Sequence, residues 1–151
     1  MYSMRLTEEQ QRIWRGYLTM TSLLQTAMHR QLQQECELSL SDYDVLVALS
    51  ERGPQRINEL GEVLAWEQSR LSHQLRRMRG RRLVERHGRG DGRRGAIVEL
   101  TDSGRAALDA AAPGHAELVR SVVFDGLSAA QLRAFGSAIE AVLERLTGPL
   151  R

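Results

Sequence analysis

Lysine is absent from this chain of 151 residues, and all 21 of its basic residues are arginine. Cysteine occurs once, at Cys36, which excludes an internal disulfide. With three prolines and few aromatic residues, long uninterrupted helices are allowed. No apolar run approaches the roughly 18–20 residues of a membrane span. The opening MYSMRLTEEQ has no apolar signal segment, so a cytoplasmic protein without a membrane partner is expected. The four histidines, at 29, 73, 87 and 115, show no metal-ligand spacing among themselves or with Cys36. We therefore expect neither a metal nor another cofactor. A phosphate-binding P-loop, a Gly-x-Ser-x-Gly elbow and a nucleophile–base constellation are all missing, which argues against an enzyme.

What is present is arginine in one place. The lack of lysine extends to acidic parts of the chain, so biased gene composition explains it as well as chemistry does. The clustering is another matter. Residues 70–94 hold ten arginines against Glu85 and Asp91, a formal +8, while the whole chain carries only +2. The remainder is thus net acidic by 6. A charge distributed this unevenly suits the grip of a polyanion.

The hydrophobic pattern predicts a mostly α fold with a small β-hairpin. Thr7-Glu8-Glu9-Gln10 reads as a capping box opening a long helix over about 7–35, with Ile13, Trp14, Tyr17, Leu18, Leu24, Met28 and Leu32 at helical spacing. Ser41-Asp42-Tyr43-Asp44 reads as the cap of a second helix that ends near Glu51, before Gly53-Pro54. Ile57, Leu60 and Leu64 mark a short helix, and Leu71, Leu75 and Met78 mark another, with Ala65-Trp66-Glu67 as the turn between them. Two short helices around a tight turn, the second one basic, make a helix-turn-helix pattern. Leu83–Arg86 and Ala96–Leu100 then read as two strands around the Gly- and Arg-rich tip HGRGDGRRG, a hairpin wing. Thr101-Asp102-Ser103 caps a further helix, with a kink or short break expected at Pro113-Gly114. Ser128 to Gln131 opens the last helix, which carries Leu132, Phe135, Ile139, Val142, Leu143 and Leu146. The layout is about six helices, with residues 1–35 and 102–151 as dimerisation helices at the two ends and 40–101 as a winged helix-turn-helix.

A helix in the major groove reads bases from its N-terminal turns. Here those turns carry Gln68, Ser69, Arg70, Ser72 and His73. Glutamine can pair bidentately with adenine and arginine with guanine O6 and N7. Arg76 and Arg77 follow one to two turns later, placed for phosphates or further base edges. On the wing, Arg89, Arg93 and Arg94 can enter the minor groove, and Asp91 can pair with Arg93 or Arg94 to shape the tip. Any one of these arginines reads equally well as a solvated surface charge. The argument rests on the cluster, together with a helix-turn-helix and a wing.

Leu60-Gly61, Ser69-Arg70-Leu71-Ser72-His73, Met78, Leu83-Val84-Glu85-Arg86, Asp91-Gly92-Arg93 and Val98-Glu99-Leu100-Thr101-Asp102-Ser103-Gly104 resemble the MarR family of winged helix-turn-helix regulators along nearly the whole chain. The wing's Asp-x-Arg followed by Leu-Thr-x-x-Gly is the most specific part. The resemblance implies a homodimer held by the first and last two helices. It implies binding to palindromic double-stranded operators, repression of nearby genes, and release by a small aromatic or lipophilic effector. It maps the family's wing arginine onto Arg93 and its pairing aspartate onto Asp91. Two departures stand out: Arg82 where the family usually carries glycine, and Gly61 where it usually carries alanine.

Trp14, Tyr17, Met28 and Tyr43 are candidates for an effector pocket, although the same spacing fits a core or a dimer interface. Trp66 in the turn reads as a packing residue. Cys36 raises a thiol-based redox-sensing alternative, but Glu35 and Glu37 flank it, the opposite of the electropositive surroundings that activate a thiol. A non-specific architectural nucleic-acid-binding protein is the other alternative, since the charge cluster alone carries no sequence preference.

Overall fold

The computed structural model describes residues 5–88 and 96–148. The elements run α1 (Glu8–Cys36), α2 (Leu40–Arg52), β1 (Gln55–Arg56), α3 (Ile57–Leu64), α4 (Gln68–Gly80), β2 (Val84–His87), β3 (Ile97–Leu100), α5 (Asp102–Val119), a π-helical turn (Arg120–Phe124) and α6 (Ala129–Thr147). They fall into two compact units, residues 1–115 and 116–151.

Local chemistry sets most boundaries. Thr7 caps α1 reciprocally: its hydroxyl accepts from the Gln10 N–H at 3.1 Å, and Gln10 Oε1 accepts from the Thr7 N–H at 2.9 Å. The same box opens α6, between Ser128 and Gln131. α2 corrects the sequence reading. Its cap is Ser39, not the stretch starting at Ser41, and the helix begins at Leu40. The reciprocal pair is Ser39 with Asp42, each side chain bonded to the other's backbone N–H at 2.9 Å. Asp42 therefore fills the third helical position, where a carboxylate faces the positive end of the helix dipole.

The wing is part of a three-stranded antiparallel sheet, ordered β1-β3-β2. Val84 pairs with Leu100 and Arg86 with Val98, while Gln55 of β1 lies against Val98 from the other side. Both wing strands begin one residue later than the sequence suggests. β1 was not expected at all, since two residues are too short to show a period. Val84 and Val98 point into the core, and Glu85, His87 and Glu99 lie on the outer face. The expected tip, with Arg89, Asp91, Arg93 and Arg94, lies outside the described residues.

In the first unit, Leu32, Leu38, Val45, Leu46, Leu49, Leu60, Leu71, Met78 and Val98 are almost fully buried in one cluster. α4 thus packs through Leu71, Leu75 and Met78, and its other faces stay in solvent. α5 is not broken at Pro113-Gly114 as expected. Proline removes one N–H from the ladder, and Leu108 and Ala111 are buried in the core just before it. The irregularity falls later, at the π turn of 120–124, which belongs to the second unit. In that unit, α6 buries none of its residues, and Leu132, Ile139, Val142, Leu143 and Leu146 stay exposed. In the first unit, Ile13, Trp14, Tyr17, Leu18, Met20 and Leu23 of α1 are likewise exposed.

Candidate nucleic-acid interface

The exposed surface of α4 holds every residue expected to face DNA from this helix. Gln68, Ser69, Arg70, Ser72, His73, Arg76 and Arg77 are all exposed, while Leu71, Gln74, Leu75 and Met78 are buried. Helical periodicity alone makes this separation. Arg79 joins the exposed set, one turn beyond Arg76.

The helix-turn-helix turn is closed by Ala65, which takes a left-handed conformation (φ 56°) and ends α3. The Trp66 N–H then donates to the Gly61 carbonyl at 3.0 Å. A β-carbon at residue 61 would run into the end of the Gln68 side chain, so the glycine there lets Gln68 lie against α3. Trp66 packs against the core, as expected of it, and presents its ring to Arg70, whose guanidinium carbon sits 4.0 Å from the ring centre. Asp44 on α2 lies within electrostatic reach of Arg70. Crowding by neighbouring protein raises the Asp44 carboxyl above its ordinary 3.8, and the Arg70 charge pulls it partly back.

What aims α4 was not read from the sequence. The buried Asp42 carboxylate accepts from Gln74 Nε2 at 2.5 Å and from Arg81 Nη1 at 3.0 Å, while still capping α2. Arg81 Nη2 also donates to the Glu37 carbonyl at 2.7 Å. One carboxylate thus ties the N-terminus of α2 to the middle and the end of α4. A polar Gln74 within the apolar face of Leu71, Leu75 and Met78 was the available signal.

Between α4 and β2 lies an open groove of about 500 Å³ lined by Arg76, Arg79, Arg86 and His87, with Gly80, Val84 and Glu85. Its arginines come from two elements, so it extends the basic surface from the helix towards the wing. On the sheet's outer face, strand register brings Glu85 opposite Glu99, with His87 Nε2 at 2.5 Å from Glu99 and 3.4 Å from Glu85. These three side chains could meet at one cation. Sequence spacing does not reveal the group, because its third member comes from the next strand.

The four effector-pocket candidates do not converge. Trp14 and Tyr17 stack on each other, centres 5.4 Å apart, on the exposed part of α1. Met28 lies about 16 Å further along the same helix than Tyr17, at 1.5 Å per residue. Tyr43 is buried, and its ring meets His115 of α5 at 4.4 Å. Beside it, Gly114 approaches Gln31 and Glu35 of α1. Among the described residues, Gln31 Oε1 and His115 Nδ1 are buried without a hydrogen-bond partner. Cys36 ends α1, half-buried against the core.

Residues 38–104 match a family model described as a winged helix DNA-binding domain. A curated relative, the HTH-type transcriptional repressor NicR of Pseudomonas putida, is 35% identical over 88 residues, 58% of this chain. That match spans 56% of the repressor's length. Among solved structures, Sco3205 of Streptomyces coelicolor, a MarR family transcriptional regulator in complex with DNA, is 35% identical with a TM-score of 0.87. The match covers 97% of this chain and 92% of that one. AbsC of the same organism, also a MarR family regulator, is 33% identical with a TM-score of 0.86, covering 97% of this chain and 100% of that one.

Proposed function

Since the chain belongs to the MarR family of transcriptional regulators, we propose that it acts as a homodimeric, sequence-specific repressor that binds a palindromic operator through α4 and the wing. The observation that carries this is the division of α4. Seven expected contact residues are exposed on a helix whose apolar face and whose Asp42 anchor fix it to the core. Gln68, Ser69, Arg70, Ser72 and His73 occupy the turns that meet base edges, and Arg76, Arg77 and Arg79 are spaced for phosphates. Arg93, with Asp91 shaping the tip and Arg89 and Arg94 beside it, is assigned to the minor groove on the family resemblance.

Apolar surface left uncovered supports the dimer. The exposed apolar stripes of α1 and α6 each need a partner to leave water, and a second copy supplies one with the two-fold symmetry of a palindrome. Recognition helices about one DNA turn apart, roughly 34 Å, would then meet successive major grooves. For the effector, the support is the polar cluster around Tyr43. Gln31 Oε1 and His115 Nδ1 offer unused hydrogen-bonding capacity beside an aromatic ring, a setting for a small aromatic ligand bearing a hydroxyl or carboxyl group.

The test is selection of genomic fragments followed by a salt series on the enriched sequence. A palindromic motif and a steep salt dependence are expected, with Arg76→Ala reducing the slope by about 1. A flat enrichment profile would instead identify a non-specific architectural protein, and a monomer at micromolar concentration by light scattering would refute the dimer.

A further inference from the structure

Arginine is a costly side chain to order, since it has many rotamers and its fork must lie in the plane of the base it reads. Among the described residues of this surface, Arg76, Arg77 and Arg79 have no ion pair or ring contact to fix that plane. Arg70 differs. It lies four residues beyond Trp66, which sits in the turn just before α4, and its guanidinium sits over the indole at 4.0 Å. Trp66 is itself held: its backbone N–H donates to the Gly61 carbonyl, and its side chain packs against the core. The ring is thus a fixed platform rather than a mobile surface group. Asp44 of α2 adds a negative charge within electrostatic reach of the same guanidinium.

We propose that Trp66 is a positioning residue that holds the Arg70 guanidinium in a preset plane at the N-terminal turns of α4, and so sharpens discrimination of the base pair Arg70 reads without itself touching DNA. This rests on the reading that the exposed face of α4 meets DNA. The physical gain is preorganisation: a stacked guanidinium loses less freedom on pairing with a guanine edge than a free one does. The effect falls on the preference between bases at one position, not on general attraction to the duplex, because the charge is unchanged.

The experiment uses the full chain and its selected operator, with every single-base variant of one half-site. Arg70→Ala identifies the position Arg70 reads. Trp66→Leu keeps apolar bulk but removes the ring, and Trp66→Phe keeps a smaller ring. We expect Trp66→Leu to lower discrimination at that position about two- to fivefold, the range of an exposed cation–π contact, and to leave the other positions unchanged. Trp66→Phe should restore most of it, and Trp66→Leu should add nothing to Arg70→Ala. A packing role alone would weaken binding at all positions alike, and that outcome overturns the proposal. If Arg70→Ala loses discrimination while Trp66→Leu keeps it, Trp66 has no positioning role and the DNA reading stands. If Arg70→Ala changes no base preference, the proposal falls with its premise, and the Arg76→Ala salt slope reports separately on whether α4 meets DNA. A second readout needs no substitution. In the free protein, 15N relaxation should show the Arg70 Nε–H more ordered than that of Arg76, and equal mobility would overturn the proposal.

Discussion

Gly104 lies so close to the Leu83 carbonyl that a β-carbon at 104 would overlap it. The contact joins the first turn of α5 to the start of the wing. Thr101 reinforces it three times: its hydroxyl donates to the Arg82 carbonyl at 2.5 Å and accepts from the Gly104 N–H at 2.9 Å, and its backbone N–H donates to the Leu83 carbonyl at 3.2 Å. The Leu-Thr-x-x-Gly pattern thus has a physical content. Threonine pins the α4–β2 turn, and glycine lets the helix come close enough to be pinned. Because the obstacle is backbone, Gly104→Ala should destabilise the protein by about 1–3 kcal/mol, the usual range for overpacking. Urea unfolding measures this, and an unchanged midpoint would show that α5 can move off the wing freely.

The Asp42 carboxylate gives a second prediction. Asp42→Ala leaves Gln74 without its buried acceptor and the α2 N-terminus without half of its capping box. Arg81 is half exposed, so water replaces part of its loss. A destabilisation of about 2 kcal/mol is expected, drawn from one unsatisfied buried group and one lost cap. Operator affinity should fall beyond what the unfolded fraction explains, because α4 loses its tether. A variant that binds as tightly as wild type once corrected for folding would show that Asp42 does not aim the helix.

Elements made by short-range chemistry were legible in the sequence: α1 from its Thr7 box and stripe, α4 from Leu71, Leu75 and Met78, and α6 from Ser128. Features made by pairing across the chain were not. β1 exists only because Gln55 and Arg56 find β3, and the Glu85–His87–Glu99 group exists only through strand register. Asp42 looked like part of a cap starting at Ser41 because four consecutive residues there are cap or polar types. Ser39 and Asp42 stand at the spacing of a capping box, and both of its bonds form. The exposed residues of α4 could be named because a helix with three buried apolar positions leaves only its other faces free. Their anchor could not, since Gln74 and Asp42 lie 32 positions apart.

Arg82 offers a third prediction. Its φ of 61° is left-handed, a region that glycine enters without a steric penalty and arginine does not. The position is the one where the resembling family usually carries glycine. Arg82→Gly should therefore raise stability by about 0.5–1 kcal/mol, the difference between roughly 1–2 kcal/mol of relieved left-handed strain and the greater freedom of glycine in the unfolded chain. A higher thermal midpoint with the same fold by circular dichroism is the expected result. A lower midpoint would show that the Arg82 side chain makes contacts that outweigh the strain.

His115 makes the protein's stability depend on pH in a stated direction. Burial against Tyr43 lowers its pKa below the ordinary 6.5, because the charged form is poorly solvated there. The unfolded chain therefore binds this proton more readily than the folded one. Above the unfolded value both states are neutral at this site, and it has no effect. As pH falls through 6.5 the unfolded state gains a proton that the folded state resists, so stability declines towards the lowered folded value. Replacing the histidine with a neutral group of similar shape, His115→Gln, should flatten that decline between about pH 7 and 5. Thermal midpoints across that range measure it. A wild-type decline that persists unchanged in His115→Gln would assign the acid sensitivity to other groups, and a midpoint that rises as pH falls would contradict the sign. A ligand that uses the unpartnered Nδ1 should shift the same titration, so the wild-type slope measured with and without a bound aromatic acid also reports on the effector site proposed around Tyr43.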